Sequence, residues 1–213
     1  MELERRFING VVSAEPHKEA QAENLMRVGG YAALFGKYAN IGDWFAEVIN
    51  DDFFNGASFE ECACLFNHDQ NHVLGRVRNG TLTLEVDDKG LLYRADLPPS
   101  RADVYELIKN GYVYSSSFAF IIDAEEWKVV PAEQLADALP PKDIAALSDE
   151  KGRVYVRYLK RARAVYDVSP VTFPAYSQTS TTALRGLDEI KKGNNLSSLY
   201  EMKKRFLTAL NTI

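Results

Sequence analysis

Three histidines, His17, His68 and His72, are the first residues to weigh, because imidazole titrates closest to neutral pH and suits general-base work. His17 lies in the polar, aperiodic stretch EPHKEAQAEN and reads as an exposed loop residue. His68 follows the apolar run CACLF and opens the turn NHDQN, where a side chain leaves a rigid strand and can face a cleft. His72 ends the same turn. A nucleophile needs a fixed rotamer beside a base, and the serines of YVYSSSFAFII sit within an aromatic, β-branched strand that can supply one. Ser117 is the candidate. Ser115 shares its face by alternation and competes with it, whereas Ser116 should point the other way. The third role, a carboxylate that orients the imidazole, falls to Asp167 at the end of the alternating run RVYVRYLKRARAVYDV, with Asp69 as the alternative. A serine, a histidine and an acid in these settings would support nucleophilic acyl chemistry.

A rival use of the same residues is zinc binding, with His68-Asp69-x-x-His72 as a variant of the two-histidine motif. That motif needs a helix to align i and i+4. NHDQNHVLGRV consists of turn formers leading into a strand, so the alignment is not expected.

The elements that must position these residues are mostly strands. VGGYAALFG, from Val28 to Gly36, reads as a strand with a close backbone approach at its glycines. Asn79-Gly80 and the turn Asp87 to Gly90 separate three alternating runs, which predicts a three-stranded meander. SRADVYELIKNG predicts a short amphipathic helix, capped by Ser100, with Val104, Leu107 and Ile108 on one face and Gly111 ending it. Residues 131–151 are helix-favouring and proline-interrupted between two strand-like runs, hence an excursion between paired strands. Residues 184–195 read as a polar linker, and 196–213 as an amphipathic helix with Ser198 and Glu201 spaced as a capping box.

Composition sets outer bounds. Apolar residues make up 46% of the 213 residues, with 11 Phe and 11 Tyr, so a full core is expected. A formal net charge of −5 with only short basic runs argues against nucleic-acid binding. No apolar stretch approaches the ~18 residues of a membrane span, and MELERRFING lacks a signal-peptide core, so a cytosolic protein is expected. Cys62 and Cys64, spaced i and i+2, read as core residues.

CLFNHD, SFAF and YDVSPVTFPAY, in this order and spacing, resemble the tailed-phage prohead (capsid maturation) serine protease family; GYAALFG and the acid in FAEVI resemble its first strands. The resemblance covers roughly residues 4–183, with one departure: Ser115-Ser116 stand where many members carry Gly with Leu or Met. It implies an α+β, mainly β fold, with a closed β-barrel core, surrounding helices and a distant similarity to herpesvirus assemblin proteases. It further implies a serine endopeptidase using His68, Ser117 and Asp167 without cofactor or metal. Residues 1–183 would then be the protease domain, and 196–213 a propeptide or packaging segment. The implied partners are the major capsid protein or scaffold as substrate, the chain itself by autocleavage, and a second copy, since assemblin-like proteases act as dimers. The implied site of action is the immature prohead in the host cytoplasm. The non-enzymatic alternative is a capsid-assembly or scaffold-binding protein that does not cut.

Overall fold

The computed structural model describes residues 3–8, 12–15 and 26–173, so His17, the linker and the C-terminal helix expected above lie outside the described residues. In chain order the elements are β1 (Glu4–Ile8), β2 (Ser13–Glu15), β3 (Met26–Leu34), β4 (Tyr38–Ile41), β5 (Phe45–Ile49), β6 (Ala63–Phe66), β7 (Asp69–Arg76), β8 (Leu82–Val86), β9 (Gly90–Leu97), α1 (Ala102–Lys109), β10 (Ser115–Pro131), α2 (Pro141–Leu147) and β11 (Arg153–Val171). The fold is mainly β.

The organising strand is β11, 19 residues long. One of its edges pairs antiparallel with β10 along nearly the whole length, from Ser115↔Val171 to Pro131↔Arg153. Its other edge is shared in succession by β5 and β6, both parallel to it. β1 extends the sheet beyond β10, β4 beyond β5, and β7 beyond β6, giving seven strands. The remaining strands form a second sheet in the order β2-β3-β9-β8.

The two sheets bury their apolar faces against each other. Phe118, Phe120, Leu159 and Val165 of the first meet Val28, Leu91 and Tyr93 of the second, and Val104 and Ile108 of α1 close one end. Leu107, expected on the same helix face, is 37% exposed. No side chain caps α1; Ser100 falls in the single 3-10 turn that precedes it. At Gly29 the expected close approach is present, for a Cβ there would lie 2.6 Å from the Tyr93 carbonyl oxygen. The excursion after β10 comprises a 3-10 turn, Ala132–Leu135, and α2, opened by Pro140-Pro141. Its Leu135, Leu139 and Leu147 form a smaller core with Ala46, Val48, Val154 and Val156.

Two sequence expectations need correction. The meander is not one sheet: β8 pairs with β9, but β7 pairs with β6 in the larger sheet. The Asn79-Gly80 turn therefore carries the chain between sheets, closed by local bonds such as Gly80 N–H to the Val77 carbonyl and Thr81 N–H to the Arg76 carbonyl. The closed barrel is not found either. Among the described residues no ladder joins the small sheet's edge strands β2 and β8 to the larger sheet. The short β2 and the charged outer face of β8, with Glu85 ion-paired to Arg94, suit edges left open to water. No helix among the described residues is long and apolar enough to cross a membrane.

Candidate active site

β6 and β7 form a hairpin whose register closes at Phe66↔Asp69, leaving Asn67 and His68 as a two-residue turn. Both have positive φ, 53° and 58°, as a type I′ turn requires. Asparagine tolerates that region, but glycine is the usual second residue, so His68 is held in a conformation that is unfavourable for a side chain with a Cβ. The turn is clamped to the end of β11. Asn67 N–H donates to the Pro170 carbonyl at 3.0 Å, and the Asn67 side chain accepts from Thr172 N–H at 2.8 Å. His68→Gly should exceed His68→Ala in stability by about 1 kcal/mol, because both lack the imidazole and only the alanine retains the backbone strain. Urea denaturation of the two variants side by side measures that difference.

The clamp aims the imidazole across the ends of β10 and β11. His68 Nδ1 lies 2.6 Å from Asp167 Oδ1, and His68 Nε2 lies 2.6 Å from Ser117 Oγ. The parallel pairing Asp167↔Ala63 and the antiparallel pairing Ser117↔Ser169 put these groups on one face of the larger sheet. Asp167 is 5% exposed and Ser117 is 3% exposed, so the contacts are shielded from bulk water.

Two further groups complete the arrangement, and sequence reasoning missed both. Ser169 Oγ, fully buried, donates to Asp167 Oδ1 at 2.8 Å and lies 3.2 Å from His68 Nδ1. Its position two residues after Asp167 on an alternating strand was a usable signal. Ser117 Oγ also lies 2.9 Å from the main-chain carbonyl of Arg6 on β1, which no sequence pattern announces. The hydroxyl has one proton and two acceptors, Nε2 and that carbonyl, so its rotamer is held from both sides.

The alternatives separate clearly. Ser115 is fully buried, and its hydroxyl has no hydrogen-bond partner among the described residues. Ser116 points to the opposite face, 3.1 Å from Tyr93 OH. Asp69 binds Asn71 N–H and side-chain amide instead of an imidazole, and the backbone N–H holds its carboxyl below the ordinary range. His72 lies on β7 beside Phe66, and because this segment is a hairpin, His68 and His72 do not share a helical face. No group of three or more His, Cys, Asp or Glu is placed to hold a metal ion among the described residues. Cys62 and Cys64 are buried free thiols; burial and the Asp167 charge push Cys62 up to about 12, leaving no useful thiolate at neutral pH.

The family model for caudovirus prohead serine proteases matches residues 13–193. The chain belongs to that family. The prohead protease of Enterobacteria phage HK97 is 25% identical over 169 residues, covering 76% of this chain and 61% of that protein. The chain thus spans about three fifths of the length of that relative. No solved structure matches it. The prohead protease match includes the β6–β7 turn that carries His68 and the strands β10 and β11 that carry Ser117 and Asp167.

Proposed function

We propose that the chain is a serine endopeptidase of head maturation, with Ser117 as nucleophile, His68 as general base and Asp167 as its orienting carboxylate. The observation that carries this reading is the unbroken relay of two 2.6 Å contacts through His68. Ser117 Oγ attacks the peptide carbonyl carbon while its proton passes to His68 Nε2, and Asp167 stabilises the imidazolium through Nδ1. The C–N bond then breaks, the amine leaves with the proton from Nε2, and an acyl-enzyme remains. Water, deprotonated by the same nitrogen, releases the acid and restores Ser117. Ser169 fixes the carboxylate so that Asp167 Oδ1 stays on the imidazole side. By family membership, the substrates are the capsid protein or scaffold of the immature head, together with the chain itself.

Labelling with an alkyl fluorophosphonate tests the nucleophile without knowledge of the substrate. Wild type should gain one adduct, mapped to Ser117 by peptide mass spectrometry, and His68→Ala should suppress it. An adduct retained by Ser117→Ala, or none on the folded wild type, would refute the assignment.

A further inference from the structure

The face that carries the proposed relay also carries a groove of about 600 Å³. Four ladders place one cross-strand row along it, because Arg5 pairs with Ala119, Ala119 with Asp167, Asp167 with Ala63, and Ala63 with Arg76. Directly paired residues project to the same side of a sheet. The row therefore runs Arg–Ala–Asp–Ala–Arg across β1, β10, β11, β6 and β7. Alanines at the second and fourth positions keep the floor low, and arginine stands at each end, two strands or roughly 10 Å from Asp167.

The two arginines differ from their neighbours. Arg6, Arg27, Arg78, Arg94, Arg153, Arg157 and Arg161 each bond an acidic side chain. Arg101 donates to the Asn71 carbonyl. Arg5 and Arg76 are exposed, and neither guanidinium has an ion pair or hydrogen bond among the described residues. The acids of the groove are already engaged, Asp167 by His68 and Ser169, Glu61 by Arg78. Leu3, Tyr166 and Val73 on its rim are 42%, 41% and 39% exposed, an apolar margin at a site of open positive charge.

We infer that this groove binds an extended segment of the polypeptide substrate through an aspartate or glutamate side chain, held between Arg5 and Arg76, within one or two residues of the bond to be cut. The inference rests on the endopeptidase reading for its register. Ala119 is two residues from Ser117 on β10, roughly 7 Å, which is one side-chain repeat of an extended peptide. Charge complementarity selects the acid, and the apolar rim selects aliphatic or aromatic neighbours.

The test uses the full chain with Ser117→Ala, so that binding is read without turnover. Fluorescence anisotropy compares labelled ten-residue peptides of apolar background in which Glu, Gln or Lys is moved through each position. At one position Glu should bind about tenfold or more tighter than Gln, the scale of one charge-assisted contact. Arg5→Gln and Arg76→Gln should each remove about tenfold of that preference, and Arg76→Glu should turn it toward Lys. Equal binding of Glu and Gln at every position, no binding of any peptide, or a preference that survives in the folded double variant would overturn the inference. The same peptides incubated with the Ser117 chain keep the two readings apart: a Glu preference without cleavage defeats the endopeptidase reading and leaves the groove, whereas cleavage without the preference does the reverse.

Discussion

Ser117→Ala should lower cleavage of a peptide substrate by about a millionfold, the loss found when the nucleophile of a serine relay is removed while binding groups remain. His68→Ala should fall in the same range, and the double variant should be little worse than either, because the two residues act as one unit. Asp167→Asn should cost less, about 10⁴-fold, since the amide preserves shape while presenting the wrong partner to Nδ1. Ser169→Ala should cost no more than about a hundredfold: the carboxylate keeps its bond to His68 but gains freedom to rotate, and small misplacements are worth that much. Single-turnover kinetics on one peptide would rank the four variants. A Ser169 effect equal to that of Ser117, or an additive double variant, would require a different nucleophile. The ranking follows from geometry, because in the proposed mechanism Ser117 and His68 touch the reacting atoms whereas Ser169 reaches only Asp167 Oδ1 and the far ring nitrogen of His68.

The separations explain which parts of this site could be read from the chain. His68 lies 49 positions from Ser117 and 99 from Asp167, yet each had a local signal: a turn after an apolar strand, a serine inside an aromatic strand, an acid closing an alternating strand. The β10–β11 ladder was legible for the same reason, as two long alternating runs around a helical excursion. What local pattern cannot convey is the pairing of distant edges. The parallel contact of β6 with β11, which puts Ala63 beside Asp167, has no turn to announce it. The Asn79-Gly80 signal was real as a turn but silent about which sheet each flank would join, so one hairpin was expected where the chain changes sheets. The buried charges were silent in another way. Nothing in the polar run ELERR marks Glu4 and Arg6 for burial, which depends on Arg157, 153 positions from Glu4. The left-handed φ of His68 was likewise invisible, because the residue best suited to that backbone is not the one present.

Arg157→Leu should destabilise the fold by about 3–5 kcal/mol, a large part of the roughly 5–15 kcal/mol available to a typical protein. Arg157 is fully buried and bonds Glu4 at 2.7 and 2.9 Å, Glu47 at 3.1 Å, and Glu125 at the rim. Arg6, 5% exposed, completes the group by binding Glu4 at 2.8 Å and Glu47 through both of its carboxylate oxygens. Burial alone would lower the Arg157 pKa, but the Glu4 hydrogen bond and the charges of Glu47, Glu4 and Glu125 outweigh it, so the guanidinium stays charged. Within the buried part, two guanidinium groups balance two carboxylates, and removing one arginine leaves Glu4 and Glu47 sharing Arg6 with one negative charge uncompensated. Glu4→Gln added to Arg157→Leu removes that excess and should recover part of the loss. Urea denaturation of wild type, the single variant and the double variant decides the matter, and a single variant as stable as wild type would show that the buried charge is not sustained by Arg157. The consequence reaches Ser117, the proposed nucleophile. The network holds β1 on β10, and β1 supplies the Arg6 carbonyl 2.9 Å from Ser117 Oγ. Arg157→Leu should therefore slow fluorophosphonate labelling of Ser117 even where the chain remains folded, although Arg157 makes no contact with the relay.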